Sequence, residues 1–299
     1  MSIQLMLPTI LQTKTLPKFC SVFFICLFIL LCGAAHSATT APAPIRFLIT
    51  FDDGPSGDRY NNSTEQVLDV LANNSVQSGI KAIFLIQTRA NRGGGTEIGK
   101  QLMRREWQEG HLLEFHTSTP HHSNHRYLTD QELAESLDNG IADLTAVTGV
   151  APHIVRPPFW SYDLRTFTAY QKVGLHVLLT DLSANDGKIW GVNFSFHKHS
   201  NMQKQLGELK VHWLAGELPV VDGCTPVIVT FHDVNTYTSN HIEVYLQILL
   251  QVAGELDMPT ATVPFYNQRD DIERAAMART VVDGSVKQKL PGFWNWLWN

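Results

Sequence analysis

The stretch IRFLITFDDGP, at positions 45–55, decides the fold, because an almost unbroken apolar run ends there in two carboxylates, a glycine and a proline. A continuous apolar run, rather than an alternating one, is typical of a strand buried on both faces of a parallel sheet. Asp52 and Asp53 therefore stand where a buried strand ends. Adjacent carboxylates repel each other unless a cation or a guanidinium group lies nearby. They predict a functional site, with a solvated turn closed by Gly-Pro as the alternative.

Similar apolar runs recur along the chain and alternate with amphipathic segments. The runs lie at 80–86, 112–115, 153–155, 175–180 and 227–231, and the helical patterns at 64–72, 97–108, 163–173 and 241–256. A further helix is predicted from the capping box of Thr129 and Glu132 to its stop at Gly149. The stretch 186–222 carries neither pattern, and we expect it to be a loop region over the cleft. The alternation predicts one α/β domain, a barrel rather than an open sheet.

Composition and charge exclude some classes of protein. Of the 299 residues, 44% are hydrophobic and 17% are charged, which is typical of a globular chain. The formal net charge of -5 gives no basic excess, so we expect no nucleic-acid partner.

The N-terminus has the pattern of an export signal. Lys14 and Lys18 precede an apolar run at 19–32, and Ala35-His36-Ser37 provides the small residues of a cleavage site. The run is short for a bilayer span. We therefore expect a signal peptide at 1–38, a linker at 39–44 and a catalytic domain at 45–299, with an uncleaved membrane anchor as the alternative. The protein would then be periplasmic or secreted, would meet a membrane only through this segment, and is expected to be a monomer.

The cysteines limit the kinds of metal site. Cys20, Cys26 and Cys32 all lie in the export segment, which leaves Cys224 alone in the mature chain. A disulfide within that chain and a cysteine-rich zinc site are therefore excluded. A metal would have to be held by histidine and carboxylate.

Histidines cluster directly after the third predicted strand. His116, His121, His122 and His125 fall within ten residues there. Neutral imidazoles with one carboxylate give a three-ligand site with open positions, which is the arrangement of catalytic zinc. The cluster indicates a metal site, with a histidine-rich surface loop as the alternative.

With these strand-end residues and histidines, the chain resembles the polysaccharide deacetylase family with NodB homology, carbohydrate esterase family 4. The matching segments, in chain order, are TFDDGP at 50–55, KAIFL at 81–85, GH at 110–111 leading to HT at 116–117, RPPF at 156–159, a segment around Asp186, and VTFHD at 229–233. The resemblance covers roughly residues 45 to 260. It implies a distorted (β/α) barrel of the NodB type and a hydrolase acting on the carbon–nitrogen bond of N-acetyl groups, or on O-acetyl esters, of a polysaccharide such as chitin or peptidoglycan.

The resemblance also implies roles for individual residues. Asp53, His116 and His121 would hold a divalent metal, most simply zinc, with cobalt, nickel and manganese as alternatives. Asp52 would be the general base, held by Arg156. His232 would be the general acid, supported by Asp186 or alternatively by Asp181. The backbone N–H of Phe159 would stabilise the oxyanion, and Phe231 and Trp190 would wall the pocket for the acetyl methyl.

Two departures from the family pattern leave questions open. The family spaces its two histidines four residues apart, whereas His121 lies five and His122 six residues after His116. We favour His121, because the next helix then begins at a normal family distance, with His125 as a third choice. Asp186 is followed by Gly187 where the family has tryptophan. A catalytically inactive carbohydrate-binding protein and a small-molecule amide hydrolase or deformylase therefore stay as alternatives.

Overall fold

The computed structural model describes residues 41–186 and 197–289. Its strands pair in parallel, in the order β5-β4-β3-β2-β1-β7-β6, with β8 also paired to β1. Their bounds are β1 Ile45–Asp52, β2 Ala82–Gln87, β3 Leu112–Thr117, β4 Ile154–Val155, β5 His176–Val177, β6 Leu182–Ser183, β7 Thr225–His232 and β8 Thr260–Phe265. The apolar run that begins at Ile45 forms β1, a central strand that is buried along nearly its whole length.

Helices connect most of these strands. Their bounds are α1 Ser63–Ala72, α2 Glu97–Gln108, α3 Asp130–Thr148, α4 Leu164–Lys172, α5 Lys198–Leu214, α6 Thr236–Glu255 and α7 Arg269–Ala278. The predicted capping box at the start of α3 is formed, since Thr129 and Glu132 each accept a hydrogen bond from the other's backbone N–H. Gly149 ends α3 with a φ of 77°, which a residue with a Cβ adopts only with strain.

The sheet curves around an interior instead of lying open. Arg156 follows β4, yet its guanidinium group donates hydrogen bonds to Thr50 and Asp52 on β1, three places away in the strand order. Inward-facing apolar side chains of several strands meet in one small core, which includes Leu48 and Ile228. The outward-facing side chains pack with the helices in a larger core. This architecture confirms the predicted α/β barrel.

The structure also corrects one expectation and adds elements. The stretch 186–222 is not simply a loop region, because α5 occupies Lys198–Leu214; its weak amphipathic pattern concealed it. Strand β8 was not predicted, since it is partly exposed and therefore lacks a continuous apolar run. Within the described ranges, no helix is both long enough and apolar enough to cross a bilayer.

Candidate active site

The polar residues that follow the strands meet at one edge of the sheet. The parallel register sets Asp52 of β1 directly beside His232 of β7. His116 is the penultimate residue of β3, and Arg156 comes immediately after β4. Carboxyl ends of parallel strands are where α/β barrels place their sites. Residues far apart in the sequence therefore share one cleft.

Asp53 lies at the centre of this group. Its φ of 71° is left-handed and turns the chain as soon as β1 ends. Asp53 Oδ1 lies 3.1 Å from Nε2 of His116 and 3.4 Å from Nε2 of His122. The two Nε2 atoms are themselves 3.1 Å apart. Three donor atoms thus converge within 4.8 Å of one another, and Asp53, His116 and His122 form a candidate metal-binding group.

The hydrogen bonding of His116 fixes which nitrogen faces Asp53. Its Nδ1 lies 2.6 Å from the carbonyl oxygen of Arg156, and a carbonyl can only accept, so Nδ1 carries the proton. Nε2 then presents its lone pair to the cluster. A ligating histidine whose other nitrogen donates to a backbone carbonyl is the usual arrangement in metal sites.

The second histidine of the cluster is His122 rather than the predicted His121. His121 is exposed, and its carbonyl oxygen accepts hydrogen bonds from the hydroxyl groups of Thr119 and Ser123. These bonds close a tight turn after β3, and the turn directs the side chain of the following residue to Asp53. His125, the third choice, is buried between Tyr170 and Thr117 and does not join the group.

The cluster keeps its carboxylate ionised and one imidazole neutral. Burial by itself raises the pKa of Asp53, but the adjacent His116, His122 and His232 outweigh it and hold that pKa far below its usual range. Burial lowers the pKa of His122 to about 4, against the opposing charge of Asp53. An ionised carboxylate and neutral imidazoles are the protonation states that a metal ligand requires.

These residues fit a divalent first-row ion. Two imidazole nitrogens and one carboxylate oxygen are the donor set of catalytic zinc sites, in which three protein ligands leave a position open. The Nε2 atoms of His116 and His122 lie 3.1 Å apart, and the lowered pKa of His122 keeps its imidazole neutral. The same donors accept cobalt, nickel and manganese. The donor set therefore fits a metal without fixing its identity.

Asp52 lies beside the cluster and is held by Arg156. Arg156 Nη1 donates to Asp52 Oδ1 at 2.7 Å and to Thr50 Oγ1 at 2.7 Å. Both partners of the ion pair are buried, with Arg156 fully inaccessible. The two backbone carbonyls of Leu178 and Leu179 accept the remaining guanidinium bonds. The predicted pairing of Asp52 with Arg156 is thus present in the structure.

His232 faces Asp53 from the other side and rests on Asp186. Nδ1 of His232 lies 2.7 Å from Asp186 Oδ1, and its backbone N–H donates to Asp186 Oδ2 at 2.9 Å. Nε2 of His232 lies 3.8 Å from Asp53 Oδ2. Burial lowers the pKa of His232, but the adjacent charge and hydrogen bond of Asp186 outweigh it and raise that pKa to about 10.

The alternative acid, Asp181, has other partners. It accepts a hydrogen bond from the backbone N–H of Ile228 at 2.8 Å and pairs with Arg279. The structure therefore places Asp186, and not Asp181, against His232.

Phe159 reaches the site with its ring as well as its backbone. The ring stacks on His122 with centroids 4.4 Å apart and an interplanar angle of 16°. Within the described part of the chain, the Phe159 backbone N–H is paired with no acceptor. Trp190, the other predicted pocket wall, lies outside the described residues.

Phe231 does not wall the site, contrary to the prediction. It is fully buried and packs against Phe51 and Tyr245 in the core between the sheet and the helices. Successive side chains of a strand point to opposite faces. Because His232 points into the cleft, its predecessor points to the outer face, so motif position alone was misleading.

Gln87 also contacts Asp53, although sequence reasoning did not single it out. This last residue of β2 donates from Nε2 to Asp53 Oδ1 at 3.0 Å. A signal existed, because Gln87 is the polar residue that ends a run buried along its whole length, as Asp52 does in β1. Because barrel sites form where strands end, the rule that points to Asp52 on β1 also points to Gln87 on β2.

Comparison with known proteins finds a family that this chain resembles. Residues 41–178 match the family model described as polysaccharide deacetylase. A chitin deacetylase of Pestalotiopsis sp. is 27% identical over 148 residues, which span 50% of this chain and 45% of the relative. This chain thus matches less than half of that relative's length.

Solved structures support the fold. A chitin deacetylase from the fungal pathogen Colletotrichum lindemuthianum superimposes with a TM-score of 0.53 at 22% identity, covering 75% of this chain and 88% of that one. A family 4 carbohydrate esterase from Streptomyces lividans gives a TM-score of 0.51 at 20% identity, over 76% and 99% of the two chains. At such identities the likeness concerns the fold. Together with the family model, it shows that this chain resembles the polysaccharide deacetylase family, most directly over residues 41–178.

Proposed function

We propose that this protein is a metal-dependent hydrolase that removes N-acetyl or O-acetyl groups from a polysaccharide such as chitin or peptidoglycan and releases acetate. One observation carries the proposal: a metal-type donor set is flanked by two oriented acid–base pairs. Asp53, His116 and His122 supply the donors, while Arg156 holds Asp52 on one side and Asp186 holds His232 on the other.

The metal is proposed to be held by Asp53, His116 and His122, with zinc as the simplest choice. When bound, such an ion polarises a carbonyl and acidifies a water molecule. Asp52 is then placed to take the proton of the attacking water. Arg156 engages only Oδ1 of Asp52, and within the described residues no hydrogen bond engages Oδ2. The guanidinium group holds this base in position by a buried hydrogen-bonded ion pair.

His232 is proposed to deliver the proton that the leaving group needs. As the water oxygen bonds to the acetyl carbon and the carbon–nitrogen bond breaks, the sugar amine takes a proton from Nε2 of His232. Asp186 holds Nδ1 and so aims Nε2 at the cleft. A pKa of about 10 keeps His232 protonated at neutral pH. The Phe159 N–H would donate to the oxyanion, a contribution of about 3 kcal/mol for one such donor.

We also propose that the protein is exported. The basic and apolar pattern at 14–32 and the small residues that follow favour a signal peptide at 1–38. Residues 45–299 would form the catalytic domain of a secreted or periplasmic monomer. An acetylated polymer outside the cell is a substrate that such a protein can reach.

The test is acetate release from chitooligosaccharides, peptidoglycan fragments and acetylated xylan by the purified protein. The wild-type protein should release acetate from at least one of them, and His232→Ala should remove most of the turnover while leaving metal content unchanged. His212→Ala is the matched control, because that histidine is exposed and pairs with Glu217 on the surface. Undiminished turnover of His232→Ala would remove this residue as the acid.

A further inference from the structure

The turn at 157–160 holds two aromatic residues in a backbone conformation that such residues rarely adopt. Phe159 has a φ of 58° and Trp160 a φ of 56°, in succession. Bulky residues in the left-handed region are genuine outliers, and such strain is found where the surrounding structure uses it. Glycine would adopt this backbone freely. The aromatic side chains are therefore present despite the backbone conformation.

Burial does not explain why Phe159 is there. Its side chain is exposed to 48%, unlike the large apolar residues of the core. Its ring instead lies flat on His122, 4.4 Å away between centroids. An exposed phenylalanine that stacks on one imidazole gains little from the hydrophobic effect and mainly constrains its partner.

His122 lacks the restraint that fixes His116. Nδ1 of His116 donates to a backbone carbonyl, which sets the orientation of its ring. In the described ranges, no hydrogen bond engages Nδ1 of His122, and its polar contacts all use Nε2. Ring orientation of a metal ligand is ordinarily fixed by a partner on the second nitrogen. In His122 it is the face of the imidazole ring that is restrained, through stacking with Phe159.

Trp160, the next residue, packs on a different group. Its ring lies 4.9 Å from the guanidinium carbon of Arg156, the residue that holds Asp52. Trp160 shares the backbone strain of Phe159 without touching His116 or His122 through any contact described. Substitutions at Phe159 and at Trp160 can therefore be compared, because both relieve backbone strain but only the first removes a ring from His122.

We propose that the Phe159 ring is a positioning residue for the metal site, which fixes the ring of His122 by stacking where a hydrogen bond fixes His116. This inference rests on the proposed metal-dependent function and adds a side-chain role to the backbone role of Phe159. The stacking on His122 also gives a reason why position 159 carries an aromatic residue although its φ is positive. The stacking replaces the missing restraint on the ligand.

The test is Zn²⁺ affinity, measured on the full chain by competition with a chromophoric chelator, together with the thermal midpoint. Phe159→Gly keeps the backbone conformation without strain, so the thermal midpoint should not fall, whereas Zn²⁺ affinity should fall about 10- to 100-fold, the range typical of lost outer-sphere partners. Phe159→Tyr keeps the ring and should keep the affinity within about twofold.

Trp160→Gly is the matched control, because it relieves the same kind of strain next door. Its Zn²⁺ affinity should stay within about twofold of wild type, since no ligand loses a contact. Equal losses of affinity in both glycine variants, or none in Phe159→Gly, would overturn the role of the Phe159 ring. Failure of the wild-type protein to bind Zn²⁺ would instead contradict the metal-dependent function itself and, with it, the inference.

Discussion

Replacing Asp186 by asparagine removes the charge that supports the proposed general acid. Oδ1 of Asp186 lies 2.7 Å from Nδ1 of His232, and Oδ2 accepts from the Thr238 hydroxyl at 2.5 Å. Asparagine has nearly the same shape and retains one acceptor. The substitution therefore mainly removes the charge that holds the pKa of His232 near 10.

The size of the effect follows from that pKa. Without Asp186, the lowering effect of burial is opposed by the more distant Asp53 and Asp52, and the pKa of His232 should return to near its ordinary value of 6.5. At pH 8 about 3% of His232 would then be protonated, so kcat should fall about 30-fold. At pH 6 most of it stays protonated, and the loss from this cause should be less than about twofold.

The assay is the pH profile of kcat for acetate release, with metal content measured on the same samples. Asp181→Asn is the control, because that buried carboxylate pairs with Arg279 and not with His232. The descending limb of the Asp186→Asn profile should move toward neutral pH, and that of Asp181→Asn should not. An unchanged limb in Asp186→Asn would refute the assignment of His232 as an acid tuned by Asp186.

Three further predictions concern the metal ligands and the stability of the fold. His122→Ala should abolish tight Zn²⁺ binding, whereas the neighbouring His121→Ala should retain it; metal content after dialysis decides between them, and the reverse result would refute the geometry of the loop. Gly54→Ala should lower the free energy of unfolding by about 1–3 kcal/mol in urea denaturation, because the added Cβ would overlap the buried carboxylate of Asp233, and an unchanged midpoint would contradict this. Burial raises the pKa of Glu114 to about 8 despite two backbone hydrogen bonds. Since the unfolded chain releases this proton near pH 4.5, the free energy of unfolding should fall between pH 4.5 and 8 by at most about 1.4 kcal/mol per pH unit. Glu114→Gln should flatten that slope in denaturation measured at pH 5 and pH 8. Equal slopes in the variant and the wild-type protein would exclude Glu114 as the cause.

The positions of the site residues were largely predictable where those residues end strands. Asp52, Asp53 and Arg156 each follow a buried apolar run, and parallel strands bring such positions to one edge. His232 follows from the same rule. The contacts Asp52–Arg156 and His232–Asp186 were expected from the family resemblance and are present. At these residues the strand-end position and the family motif indicate the same side chain, so the prediction does not depend on the conformation of a loop.

Prediction failed where a loop or a strand face decides the answer. Motif spacing favoured His121, but hydrogen bonds of Thr119 and Ser123 to its carbonyl turn the loop so that His122 points inward. Neither bond can be inferred from spacing. Phe231 was assigned to the cleft because it adjoins His232, although the alternation of a strand sends neighbours to opposite faces. On β7 that alternation places His232 in the cleft and Phe231 in the outer core.

The proposed release of acetate depends on a metal held by Asp53, His116 and His122. The most direct measurement is acetate release from an acetylated oligosaccharide that the wild-type protein accepts, before chelation, after chelation and after Zn²⁺ is restored. In the wild-type protein, release should stop on chelation and return when Zn²⁺ is added, whereas Zn²⁺ should restore no release in Asp53→Ala. Full release by the chelated, metal-free protein would contradict it.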